Sequence, residues 1–227
     1  MKNRGIFITL EGIDGTGKST QMRRLVKYLR TRGVRVVATR EPGGTRVGEQ
    51  IRAILLASRT ARLAPHAELA LMYAARAQHL EEVVRPALAR GALVVSDRFN
   101  DASLAYQGHG RRLGEATVRA LDRIVCGATQ PHLTLLLDLD PRVALARAQG
   151  REVRRNSAHS RFEGQGLEFH ERVRAGYLAI ARREPRRVKV VSADRPVAEV
   201  QAEICRIVDK FLDSNVRDRR SPSKVKR

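Results

Sequence analysis

Ile6-Phe7-Ile8-Thr9-Leu10-Glu11-Gly12-Ile13-Asp14-Gly15-Thr16-Gly17-Lys18-Ser19-Thr20 is the stretch that decides how this chain folds. Ile6 to Leu10 is a short apolar run of the kind that forms a buried strand. Gly12 to Ser19 fits the template G-x-x-x-x-G-K-[ST]. From Thr20 to Arg32 the apolar residues Leu25, Val26 and Leu29 recur at helical spacing, and Gly33 closes the run. Strand, glycine turn and helix together make a phosphate cradle. The glycines let backbone N–H groups approach phosphate oxygens, and the helix start adds the positive end of its dipole. Lys18 can reach the outer phosphates, and Ser19 can ligate the magnesium that travels with them. The nucleotide-binding segment expected from the residues is therefore Gly12, Ile13, Asp14, Gly15, Thr16, Gly17, Lys18, Ser19 and Thr20.

Working outward, strand and helix patterns alternate along the chain. Strands are expected at Val34–Ala38, Ala92–Val95, Leu133–Leu137 and Val188–Val191. Helices are expected over Val47–Ala57 and His66–Arg90, and from Val197 through Phe211. Asp140-Pro141 offers an N-cap followed by proline in the first helical position. This order predicts an α/β fold with a five-stranded parallel sheet flanked by helices on both faces, its ligands at the carboxyl ends of the strands. The polar stretch 150–166 breaks the alternation and reads as a short lid or a loop. Residues 1–214 are expected to form one domain, and the basic stretch 215–227 a disordered tail.

The 227 residues carry a formal charge of +20. Lysine stands only at positions 2, 18, 27, 189, 210, 224 and 226, so the cations are overwhelmingly arginine. Such a bias dilutes the meaning of any one arginine, although a positive cleft suits phosphate substrates. No apolar run reaches the ~20 residues of a membrane helix, and no secretory signal precedes the phosphate loop. Cys126 and Cys205 are far apart and the histidines lack ligand spacing. A cytoplasmic protein without bound zinc or an organic prosthetic group is expected. Aromatic residues make up 4% of the chain and no stacking or recognition motif is visible, so no specific nucleic-acid partner is expected.

Phosphoryl transfer requires neutralised charge around the equatorial oxygens, in-line positioning and exclusion of water. Arg151, Arg154 and Arg155 have the i, i+3, i+4 spacing that puts side chains on one side of a helix. Folded over the phosphate loop they can act as arginine fingers; the alternative is a solvated basic face. Asp97 and Arg98 close the third strand, where the aspartate can hold the magnesium shell and the arginine can grip an acceptor phosphate. A purely structural ion pair is the alternative there.

Several motifs resemble the thymidylate kinase family in identity, order and spacing from about residue 5 to about 212. They are Gly12–Thr20, Arg40-Glu41-Pro42-Gly43-Gly44-Thr45, Tyr73-Ala74-Ala75-Arg76, Asp97-Arg98-Phe99, Ala105-Tyr106-Gln107-Gly108 and Arg161-Phe162-Glu163. The resemblance implies a P-loop NTPase-type fold, transfer of the ATP γ-phosphoryl to dTMP with Mg2+, and a homodimer. It implies that Asp14 contacts the deoxyribose 3′-hydroxyl and steadies phosphate-binding arginines, and that Glu41 borders the acceptor site and meets water or magnesium. Arg52 and Arg98 would bind the dTMP phosphate, and Arg76 would donate to thymine O4. Ser103 and Gln107 would meet the polar edge of the base, and Tyr106 would fill the place of a ribose 2′-hydroxyl. Arg147 would stack on adenine beside Ala193–Asp194. Glycine at position 15, where part of the family has arginine, resembles the bacterial branch and leaves transition-state charge to the lid arginines. Met72 stands where family members have a phenylalanine that stacks on thymine, Phe99 where they have tyrosine or histidine, and Ser160 where aspartate is frequent. Met72 also keeps open a related nucleoside monophosphate kinase with a shifted base preference.

Overall fold

The structure is a computed structural model that describes residues 5–57, 63–155, 161–162 and 164–220, with the main chain alone described for 151–155 and 215–220. Its centre is β1 (Ile6–Glu11), hydrogen-bonded in parallel to β3 (Leu93–Asp97) on one side and β4 (Leu133–Asp138) on the other. With β2 (Val36–Arg40) and β5 (Val188–Ser192) at the edges, the strand order is β2-β3-β1-β4-β5, all parallel. The chain leaves β1 towards β2 but leaves β3 in the opposite direction towards β4. The carboxyl ends of β1 and β3 therefore flank the crevice where such sheets take ligands. Both faces of the central strands are covered, which is why Leu133 to Leu137 carries almost no polar residue.

Helix α1 (Lys18–Thr31) turns Lys18, Gln21, Leu25, Val26 and Leu29 inward, and Gly33 at φ +75° ends it. Helix α2 (Arg46–Leu56) is capped by the Thr45 hydroxyl, which accepts from the Gly48 N–H at 2.9 Å. The long helix expected over His66–Arg90 is interrupted. It consists of α3 (Pro65–His79), a π-helical turn at Leu80–Val84, and α4 (Arg85–Ala89). Pro86 is the reason: it has no N–H to donate, and its ring would strike the carbonyl one turn back in a regular helix.

After β3 the chain forms α5 (Asn100–Ser103), a second π-helical segment at Leu104–Gly110, and α6 (Glu115–Val125). Helix α7 (Pro141–Arg155) starts where Asp140-Pro141 predicts, with Asp140 Oδ1 accepting from the Arg142 N–H at 2.8 Å. Helix α8 (Leu167–Arg183) crosses over the second π segment, and α9 (Val197–Arg220) closes the fold against α1. Helix α9 runs to Arg220, beyond the expected boundary at 214: helical hydrogen bonding continues although the apolar spacing has ended. No helix among the described residues is long and apolar enough to cross a membrane.

Candidate functional site

The phosphate loop lies between the end of β1 and the start of α1. Gly17 takes φ +88° immediately before Lys18, and Gly15 takes φ +86°. A Cβ on Gly15 would lie 1.9 Å from the Ala144 carbonyl oxygen, so α7 rests directly on the loop and leaves no room for a side chain. Lys18 is buried; its Nζ donates to the Ile13 carbonyl at 2.8 Å and stands 3.7 Å from Asp14. Burial and the nearby Arg98 pull its pKa down to about 8. The Ser19 hydroxyl donates to Asp97 Oδ2 at 3.0 Å, uniting the two groups expected at a magnesium.

Arg98 is held in the left-handed region at φ +73°, a conformation that costs a non-glycine residue about 1–3 kcal/mol. Three bonds hold it there. The Arg98 N–H donates to Leu10 at 3.0 Å, Ser96 Oγ donates to the Arg98 carbonyl at 2.7 Å, and the Phe99 N–H donates to Glu11 Oε1 at 2.7 Å. The turn aims the guanidinium at Asp14 (2.7 Å), and at the hydroxyls of Tyr106 and Tyr177 (both 3.1 Å). Desolvation works against the Asp14 charge, but Arg98 and Lys18 overcome it and keep its carboxyl well below the usual range.

Beside this cluster opens a cavity of about 160 Å³ whose wall includes Asp14, Glu41, Arg52, Met72, Arg76, Arg98, Ser103, Tyr106 and Gln107. Every residue expected at the acceptor site therefore lines one cleft. Arg52 reaches it from α2, its Nη1 donating to the Pro42 carbonyl at 2.8 Å. Arg76 is 2% exposed: its Nε donates to Glu41 at 2.7 Å, and its Nη2 donates to the Phe99 carbonyl and Ser103 Oγ. Burial opposes the Arg76 charge, and Glu41 more than offsets it. Arg76 Nη1 has no partner among the described residues. Phe162 seals the cleft with its ring edge-on to Tyr106, centroids 5.7 Å apart.

Glu41 lines the cleft as expected of a residue bordering the acceptor site, and its two oxygens are engaged by Arg76 at 2.7 Å and His79 at 2.8 Å. In this arrangement the carboxylate holds the Arg76 guanidinium in place. Phe99 is fully buried with its ring against Phe7, so the lost tyrosine hydroxyl is replaced by core packing. Arg147 reaches the expected loop, donating to the Ala193 carbonyl at 3.1 Å and lying 3.5 Å from Asp194. The side chains of Arg151, Arg154 and Arg155, together with Ser160 and Glu163, lie outside the described residues.

A comparison of the whole chain with protein families matches the thymidylate kinase model over residues 10–204. The chain belongs to the thymidylate kinase family. It is 50% identical over 212 residues to the thymidylate kinase of Methylococcus capsulatus, covering 93% of this chain and 99% of that one. To the thymidylate kinase of Symbiobacterium thermophilum it is 47% identical, covering 93% and 96%. The crystal structure of thymidylate kinase from Ehrlichia chaffeensis superimposes with a TM-score of 0.73 at 31% identity, over 91% of this chain and 99% of that chain. This thymidylate kinase relative also carries two buried carboxylates behind the cleft that no motif announced. Glu11 is wholly buried between the Phe99 N–H and the Tyr177 hydroxyl (2.8 Å). Its pKa rises to about 8 through burial and the proximity of Asp101. Glu68, also fully buried, gathers Gln107, Arg111 and Arg161. The only hint of either in the sequence is an acidic residue among apolar ones, Glu11 at the end of a strand and Glu68 in a helix.

Proposed function

We propose that the cleft lined by Arg52, Met72, Arg76, Arg98 and Gln107 receives dTMP, and that the phosphates of ATP lie over Gly12–Thr20. The enzyme is a nucleoside monophosphate kinase that moves the γ-phosphoryl group of ATP to dTMP, giving dTDP and ADP in nucleotide biosynthesis. The observation that carries the placement is Arg76, a buried residue on the wall of the cleft whose Nη1 has no acceptor among the described residues. A carbonyl at C4 of the pyrimidine satisfies it, and a ligand lacking that acceptor leaves a charge-assisted donor stranded. Arg98 and Arg52 face the same space and hold the acceptor phosphate, with Asp14 keeping Arg98 in place.

The Ser19 hydroxyl and Asp97 carboxylate are a hard-oxygen pair suited to Mg2+, which they would hold together with ATP phosphate oxygens. When bound, the metal neutralises charge developing on the phosphates. No general base is required, because the acceptor is already an oxyanion near neutral pH. Positioning by Lys18, Arg98 and the loop N–H groups supplies the acceleration, with Arg151, Arg154 and Arg155 completing the charge clamp from the lid. Residues 1–214 are read as one domain of a cytoplasmic protein, and by the family resemblance the working unit is a homodimer, which equilibrium sedimentation tests.

ADP production measured with dTMP, dUMP, UMP, CMP and AMP as acceptors tests the assignment. dTMP is expected to give the highest kcat/KM, and faster turnover of UMP or CMP would reject it.

A further inference from the structure

Gln107 presents an amide to the cleft, and an amide reads a base in opposite ways depending on which end faces it. Its oxygen accepts from an N–H, whereas its nitrogen donates to a ring nitrogen. Here the choice is made behind the amide. Gln107 Nε2 lies 2.7 Å from Glu68 Oε1. Glu68 is fully buried and sits against two guanidinium groups: Arg161 Nη1 lies 2.7 Å from Oε2, and Arg111 Nε lies 3.1 Å from the same oxygen. In that company its oxygens accept, so only the NH₂ end of Gln107 can face it. The side-chain carbonyl oxygen of Gln107, which has no protein partner among the described residues, is the end left for the cleft.

We propose that Glu68 is a positioning residue for base selection. By holding Gln107 Nε2 it turns the side-chain carbonyl of Gln107 outward, so that the cleft pairs one acceptor with the Arg76 donor. That pattern matches a pyrimidine with a carbonyl at C4 and an N–H at position 3, and opposes an aminopyrimidine at both atoms. The inference rests on the placement of dTMP given above.

The test is Glu68→Gln, which keeps the shape and removes the charge. The carbonyl of the introduced amide would face Arg161, which leaves its NH₂ facing Gln107 and so flips the Gln107 amide. The expected result is a fall of about tenfold or more in the ratio of kcat/KM for dTMP over dCMP, the scale of one mismatched buried hydrogen bond. A folded variant that loses both activities equally, with the ratio unchanged, overturns the proposal, since that is what a merely structural role would do. Should Glu68→Gln not fold, the parent enzyme still decides. With 15N-labelled dTMP bound, the thymine N3–H is expected to show a through-hydrogen-bond coupling to the Gln107 side-chain carbonyl carbon, assigned by its loss in Gln107→Leu. A coupling from the Gln107 Nε2–H to the base instead would overturn the proposal. Gln107→Leu also separates the two readings. Weakened dTMP binding supports the placement on which the proposal rests, and unchanged binding removes that placement.

Discussion

Arg98 adopts a backbone conformation that side chains avoid, and Glu11 is part of what holds it there. Glu11 is wholly buried, accepts the Phe99 N–H, and shares the Tyr177 hydroxyl with Arg98. Burial raises its pKa from the ordinary carboxylate range to about 8, so the folded protein favours the protonated acid. The sign follows from linkage. The unfolded chain releases this proton near pH 4.5 while the folded one retains it, so its contribution to stability is present below that pH and is lost as pH rises through about 8. Glu11→Gln imitates the protonated form. Its unfolding free energy is expected to match the parent near pH 4.5 and to exceed it at pH 8.5, by an amount on the order of a few kcal/mol. Denaturant titrations at the two pH values check this; equal pH slopes for variant and parent would contradict it.

The phosphate loop and α7 are built against each other. Gly15 was legible as part of a nucleotide-binding motif, but its second constraint was not. The Ala144 carbonyl lies where a Cβ would go, and φ is +86°. Gly15→Ala must therefore shift α7 in addition to accepting about 1–2 kcal/mol of left-handed strain. The expected outcome is a lower Tm together with weaker ATP binding, measured by thermal unfolding and calorimetry. A variant that keeps both would show the contact to be soft. The same contact explains why this chain cannot place an arginine at position 15 in the manner of other family members. The charge that such a residue would bring must come from beyond the loop. Helix α3 shows the opposite limit of legibility: its apolar spacing runs on through Leu80–Val84, and only the pyrrolidine at Pro86 opens the turn.

Taken whole, the molecule gathers guanidinium groups from three stretches of chain around one cleft: Arg52 from α2, Arg76 from α3 and Arg98 after β3. The proposed role of the lid arginines is to complete this clamp and exclude water. Arg154→Ala and Arg155→Ala are expected to lower kcat by about two orders of magnitude or more while changing dTMP affinity little. Steady-state kinetics beside dTMP calorimetry check this, and an unchanged kcat in the double variant would return these arginines to a solvated face.

Residue order alone was enough for the parallel sheet and the phosphate loop, and the family resemblance named the residues that share the cleft. The sheet and the loop depend on local patterns: apolar period, glycine spacing and motif order, all readable within a few residues. What each charged group is bound to emerged with the folded chain and not before. Glu41 faces Arg76 and His79, Glu11 props the Arg98 turn, and Glu68 orients Gln107. Those partners lie 35 or more residues apart, brought together by the crossovers of the sheet. A buried carboxylate takes its role from the donors around it, and no spacing along the chain encodes which donors those are.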